Sequence, residues 1–309
     1  MRFSIKAPAS SANLGPGFDT IGLALDVWNI VTIDTEGVPG EVLNTGSEAR
    51  LLDGRENLTL SAMRMLAHDY HRELPDVSIQ AETNIPVSRG MGSSAAALVI
   101  GLAAANQLLD IGLDDQELFE RAARIEGHGD NVGAAIFGGA VMAVPASNAV
   151  TLLTDTTHLG LTTILFIPDM TGATHAARAA LPATVPHADA TANVAAVAAL
   201  TVGLKLHDHA LIAAGMRDRL HEPYRAELFP HLVPLQEVAR TAGAVGAVLS
   251  GAGPTVLALV QPDLADHVIT AMSRAARDLH VTGRVHEVKP SPTGLVTTHA
   301  TTIRDTSLA

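Results

Sequence analysis

The 309-residue chain has no cysteine, which excludes disulfides, thiolate zinc sites and cysteine nucleophiles. Lysine is almost as scarce: Lys6, Lys205 and Lys289 are the only three. A protein so poor in lysine must hold any phosphate mainly with backbone amides, arginines and a metal ion. The net charge of −12 removes any general attraction to nucleic acid or to an anionic membrane surface. Long apolar runs are missing as well. The longest, residues 95–105, is too short to span a bilayer. The start, Met1-Arg2-Phe3-Ser4-Ile5-Lys6-Ala7-Pro8, reaches a proline before a signal-peptide core can form. A cytoplasmic location, with neither nucleic acid nor membrane as partner, is the expectation. Fourteen histidines are present, but none in HExxH spacing, so a zinc hydrolase has little support.

What is there suits a globular protein: 47% hydrophobic and 17% charged residues, in a length that fits one large or two ordinary domains. Period-2 alternation predicts strands over residues 3–6, 27–35 and 77–81. Helical spacing predicts helices over 57–71, 95–109 and 115–126. Residues 134–144, apolar and broken by glycine, read as a turn into a buried strand. In the second half, strands are expected over 161–168, 247–250, 255–260 and 284–288. Helices are expected over 190–207, 209–219, 232–242 and 263–280. Strands and helices mix without regular βαβ alternation, which argues an α+β fold in two domains, 1–155 and 156–309.

The most informative segment is Gly90-Met91-Gly92-Ser93-Ser94-Ala95. Two glycines let the backbone approach a ligand and reach positive φ. The residues after them open a helix whose first N–H groups have no internal partner. Those amides and the helix dipole suit a phosphate chain, and the serine hydroxyls suit phosphate or Mg²⁺. Three readings compete on these residues alone. One is a plain glycine turn capped by serine. Another is a dinucleotide fingerprint, matched by Gly90, Gly92 and Ala95 but preceded by Pro86 instead of a buried parallel strand. The third, a Walker A loop, fails because no GK[ST] is present.

The wider stretch Pro86-Val87-Ser88-Arg89-Gly90-Met91-Gly92-Ser93-Ser94-Ala95-Ala96 resembles the phosphate-loop signature of the GHMP kinases. Ala7-Pro8-Ala9-Ser10-Ser11-Ala12-Asn13-Leu14-Gly15-Pro16-Gly17-Phe18-Asp19 is similar to that family's first motif, and Leu249-Ser250-Gly251-Ala252-Gly253-Pro254-Thr255 to its third. The motifs occur in family order and span nearly the whole chain. The resemblance implies an N-terminal domain of the ribosomal S5 domain 2 type, a ferredoxin-like C-terminal domain, and ATP bound between them by residues 86–96.

Within the family, the first motif here carries Pro8-Ala9-Ser10 where many members have P-G-K. That variant resembles the branch that phosphorylates L-homoserine. Glu126-Gly127-His128-Gly129-Asp130-Asn131-Val132 and the arginines Arg178 and Arg225 resemble that branch too. The resemblance implies an acceptor with a carboxylate, an ammonium group and a primary hydroxyl. Guanidinium groups grip carboxylates bidentately, so Arg178 and Arg225 are assigned to that end. Asp19 with Asn13 is assigned to the ammonium, while His128 and Asp130 position the hydroxyl. Gly251 and Gly253 are expected to border the substrate. Glu126 and Ser94, in preference to Ser93, are expected to hold Mg²⁺, and Asp130, Asn131 and Ser94 form the expected catalytic set. The early lysine that assists an aspartate base elsewhere in the family is missing, since Lys6 belongs to a strand. Asp130 as base and direct proton loss to the phosphate therefore both stay open. Another GHMP small-molecule kinase of the mevalonate type, or a non-catalytic nucleotide-binding regulator, remains an alternative. A homodimer is expected by analogy.

Overall fold

The computed structural model describes residues 1–144 and 149–299. Two long strands, β1 (Arg2–Asn13) and β2 (Gly17–Asp34), form an antiparallel pair at the centre of the first sheet. Both run well beyond the expected spans. Residues 14–16 are the turn between them, so the first motif folds as the corner of a ribbon. Asn29 of β2 is buried, and its side-chain oxygen accepts from the N–H groups of Asn84 and Ile85 at 2.9 and 3.0 Å. That bond fixes the start of the glycine-loop segment against the sheet.

The first sheet has the order β11-β1-β2-β4-β3, with β5 (Ala140–Val144) pairing β2 and β6 (Ala149–Thr154) pairing β5. Here β3 is Val42–Thr45, β4 is Ser78–Glu82 and β11 is Val296–His299. Helices α1 (Leu58–Asp69), α2 (Ser93–Leu108), α3 (Asp115–Glu126) and α4 (Asp130–Phe137) complete this half. Asn57 caps α1 by accepting from Leu60 N–H at 2.9 Å, as short polar side chains do at helix starts. Asp114 and Glu117 form a capping box on α3, which stops at Gly127 with φ +84°. α2 is apolar almost all round and is buried over most of its length, the pattern of a central core helix. Residues 134–144, expected to turn into a strand, instead finish α4 and enter β5 only after a break at Gly138 and Gly139.

The second sheet is antiparallel, in the order β10-β7-β9-β8. Its strands are β7 (Thr162–Pro168), β8 (Gly246–Leu249), β9 (Val256–Val260) and β10 (Gly283–Val288). Helices α9 (Leu232–Thr241) and α10 (Ala265–Asp278) pack on it. Chain order strand–helix–strand–strand–helix–strand with this spatial order is the ferredoxin-like arrangement, as expected. Between β7 and α9 lie α5 (Thr174–Ala179), α6 (His187–Leu206), α7 (His209–Gly215) and α8 (Glu222–Arg225). α6 is long and apolar enough by composition to cross a membrane. Its Asn193, however, is buried and bonded to Pro16 O and Arg219 N–H, which ties the helix into the fold.

The strands of the first sheet precede β7, which begins at Thr162, with β11 as the exception. β11 pairs antiparallel with β1, Phe3 opposite His299 and Lys6 opposite Val296, so residues 296–299 belong to the first sheet and not with 156–309. The core is likewise continuous: Phe3, Leu23 and Leu102 lie in one cluster with Leu165 and Leu257.

Two stability outcomes follow. Gly22 of β2 faces α4, and a Cβ there would stand 2.1 Å from Asp130 O. Gly22→Ala therefore costs about 1–3 kcal/mol through overpacking, measurable as a lower urea midpoint. The second concerns Glu222, whose carboxyl is buried and pushed up to about 7 by that burial, with the bonds from Leu249 and Gln236 opposing. A folded pKa above the unfolded one adds stability below about pH 4.5 that is lost as pH rises through 7. Glu222→Gln lacks this loss, so its stability advantage over wild type opens between pH 5 and 8, by at most about 3 kcal/mol.

Candidate active site

Three backbone corners distant in sequence meet at one point. Ser250 Oγ donates to Gly90 O at 2.6 Å and is paired with the Ser11 hydroxyl at 2.9 Å. Gly251 N–H donates to Ala12 O at 3.1 Å, and Ser10 N–H donates to Met91 O at the same distance. The approach is so close that a Cβ on Gly90 would stand 2.2 Å from Ser250 O, and one on Gly92 2.0 Å from Ser10 Oγ. Glycine is required at both places for space as well as for their φ of +73° and +69°.

Gly92 caps α2 without any side-chain bond. The first amides of the helix, with the hydroxyls of Ser93 and Ser94, open onto a cleft of about 430 Å³. No protein hydrogen bond occupies either hydroxyl among the described residues. The cleft runs from this loop in two directions. One end is walled by Val31, Leu52, Leu58 and Ile100; the other holds Asp19, Glu126, His128, Asp130, Arg178 and Arg225.

The polar end is densely bonded. Asp19, at φ +56°, receives Arg178 bidentately at 2.8 and 3.0 Å. The hydrogen bonds from Asp19 keep the Arg178 guanidinium firmly charged, its pKa raised against partial burial. The two residues assigned to opposite ends of an acceptor thus neutralise each other here. Asn13 links the corners, its Nδ2 donating to Gly251 O at 3.0 Å and its oxygen accepting from Asp19 N–H. Asp130, buried at the start of α4, takes His128 Nδ1 and the Asn131 N–H on one oxygen, each at 2.7 Å. Burial alone would lower the His128 pKa, but the bond to Asp130 and the charges of Asp130, Glu126 and Asp19 raise it. Asn131 in turn accepts from Ser10 Oγ at 2.8 Å, so α4 is braced against the first motif.

Arg225 is only 2% exposed, yet its partners are all neutral: Ala177 O, Gly251 O and His221 Nδ1, at 3.1–3.2 Å. Burial and then the charge of Arg178 lower its pKa. A desolvated guanidinium without a carboxylate partner is costly unless an anion joins it. Phe18, unremarked in the sequence beyond its motif, lies beneath both guanidiniums, 5.6 Å from Arg178 and 5.4 Å from Arg225.

Three expected site residues face elsewhere. Arg89 bonds Pro168 O, Asp169 O, Val87 O and Glu48, clamping the loop to the second sheet. Ala96 is fully buried one turn inside α2. Gly253 packs against Phe229 and Leu249 and shapes the third turn without lining the cleft. Lys6 is remote too, its ammonium 4.4 Å from the Trp28 ring centre. For a divalent ion, Glu126 and Ser94 line the same cleft and offer oxygen donors, which suits Mg²⁺. Glu126 has its pKa raised by burial, so a cation beside it would be welcome. Asp19, His128 and Asp130 also cluster within 4.8 Å, with both Asp19 oxygens held by Arg178 and one Asp130 oxygen by His128 and the Asn131 N–H.

Residues 57–139 match the GHMP kinases N terminal domain and residues 197–278 match the GHMP kinases C terminal domain. A homoserine kinase of Desulfitobacterium hafniense is 41% identical over 87% of this chain and 90% of its own length. One of Corynebacterium kroppenstedtii is 39% identical, over 89% and 91%. The crystal structure of homoserine kinase from Cytophaga hutchinsonii superposes with a TM-score of 0.84 at 28% identity, covering 96% of this chain and 97% of that one. At 16% identity, L. major mevalonate kinase in complex with R-mevalonate shares the fold, with a TM-score of 0.69 over 94% of this chain and 96% of that one. The chain belongs to the GHMP kinase family, in its homoserine kinase branch.

Proposed function

We propose that the protein transfers the γ-phosphoryl group of ATP to the side-chain hydroxyl of L-homoserine, giving O-phospho-L-homoserine and ADP. The observation that carries this reading is a buried Arg225 with only neutral partners in the same cleft as a helix start that no side chain caps, behind two glycines. The helix start takes the phosphate chain, and the apolar end near Val31, Leu52 and Ile100 takes the base. At the polar end the Asp19–Arg178 pair presents one negative and one positive group side by side, the complement of a zwitterion. On binding, the amino acid exchanges with that pair: its ammonium meets Asp19 and its carboxylate meets Arg178 and Arg225.

The transfer forms a bond from the acceptor oxygen to the γ-phosphorus and breaks that phosphorus from the bridging oxygen of ADP. The transition state is loose, so alignment and charge neutralisation dominate. The α2 amides and the serine hydroxyls hold the phosphates, and His128 fixes Asp130 toward the acceptor side. Mg²⁺, held by Glu126 and Ser94, would supply charge neutralisation on the β- and γ-phosphates. The acceptor proton leaves to the second oxygen of Asp130 or to the phosphate itself.

ADP release is expected with homoserine and not with mevalonate or shikimate, in a coupled assay with each acceptor alone. Turnover with mevalonate only, or ATP binding without turnover, would overturn the reading. Arg178→Ala should raise the homoserine KM by a factor corresponding to about 1.5–3 kcal/mol, the range for a hydrogen bond to a charged group, because the pair with Asp19 is partly exposed, and leave the ATP KM unchanged. Asp130→Asn separates the proton routes: a kcat within about tenfold of wild type, or roughly 1.4 kcal/mol of barrier, assigns the proton to the phosphate.

A further inference from the structure

Outside the cleft, the least economical group in the molecule is Glu222, the first residue of α8. It is a buried carboxylate with no ion-pair partner within reach among the described residues. One oxygen accepts from Leu249 N–H at 2.5 Å and the other from Gln236 Nε2 at 2.8 Å. Leu249 is the last residue of β8, and the chain then turns through Ser250 and Gly251 into the site. Gly251 O receives both Asn13 Nδ2 and Arg225 Nη1. Arg225 sits one turn after Glu222 on the same short helix. A four-residue helix has little stability of its own, and Asp218 starts it by accepting from the N–H groups of residues 220, 221 and 222. Position and orientation of Arg225 therefore depend on how α8 is fastened to the strand end.

We propose that Glu222 is a positioning residue for the acceptor site, fastening α8 to the end of β8 so that Arg225 and Gly251 O hold one register. The inference rests on the amino-acid acceptor proposed above. The side chain reaches two elements at once, accepting a backbone N–H from β8 and an amide N–H from α9. It does so without touching the Arg225 guanidinium. A direct ion pair would fill the arginine that the substrate carboxylate needs. Glu222 instead acts on Arg225 through space, as one of several surrounding negative charges with Asp19 and Asp218. The charged and titratable groups around Glu222 are Asp218 on the preceding turn, His221 and Arg225 on α8, and Arg240 on α9; its β8 contact is a neutral backbone amide.

The test measures homoserine KM, ATP KM and kcat at pH 8 for Glu222→Ala, Glu222→Asp and Glu222→Gln. Glu222→Ala should raise the homoserine KM at least tenfold, with ATP KM within about twofold and kcat within about threefold. Glu222→Asp keeps the charge and folds more readily, but is one methylene too short to reach both donors; its homoserine KM should rise about fivefold. Glu222→Gln should return all three constants to within about threefold of wild type, because its amide oxygen still accepts from Leu249 and Gln236 can present its own oxygen. An unchanged homoserine KM in the Asp variant, an equal rise of both KM values, or no rescue by Gln overturns the proposal. Should wild type fail to phosphorylate homoserine, the functional reading fails. In that case the loss of slow hydrogen exchange at Leu249 N–H in Glu222→Asp decides the fastening separately.

Discussion

The site depends on a single close contact, that of the Gly90 and Ser250 backbones. Neither loop can be placed without the other, because a carbonyl of one accepts the hydroxyl of the other across a gap that no side chain could enter. From that contact the rest is ordered. Ser11 comes in under Ser250, Gly251 N–H docks on Ala12 O, and Gly92 is held against Ser10 at the mouth of α2. The open start of α2 and the polar side chains of the cleft, which come from both halves of the chain, are thereby set side by side. The contact itself uses only hydroxyls and backbone groups.

Much of this was legible in the sequence where local rules are strong. The run of small and apolar residues behind two glycines gave α2. The Asp114–Glu117 capping pair and Gly127 bounded α3, and the alternating runs of the second half gave the central strands of the ferredoxin-like unit. Local rules were weak elsewhere. β3, β6 and β11 are short, peripheral strands with few buried side chains, so their alternation is faint, and it is pairing that makes them strands. α4 has a glycine at its cap and no side-chain bond there, so nothing in the sequence announced its start.

Side-chain roles were harder to read than elements. Arg89 beside a phosphate loop looks, in sequence, like a phosphate ligand, whereas in the structure its guanidinium bonds Glu48 and two carbonyls that arrive from elsewhere. Arg178 and Asp19 were both assigned to the pocket, and both line it, but their mutual pairing spans 159 positions and no pattern foretells it. Phe18 passed as a motif hydrophobe although it supports two cations. In each case the residue type was informative, and its partner was a property of the tertiary structure.

The return of residues 296–299 to pair with β1 has a consequence for biogenesis. During synthesis β1 lacks its neighbour on one side until residues 296–299 have followed it out of the ribosome. The ferredoxin-like unit is in effect inserted between a strand and the partner that covers its edge. The nascent chain must carry that open edge while the whole of that unit is being made.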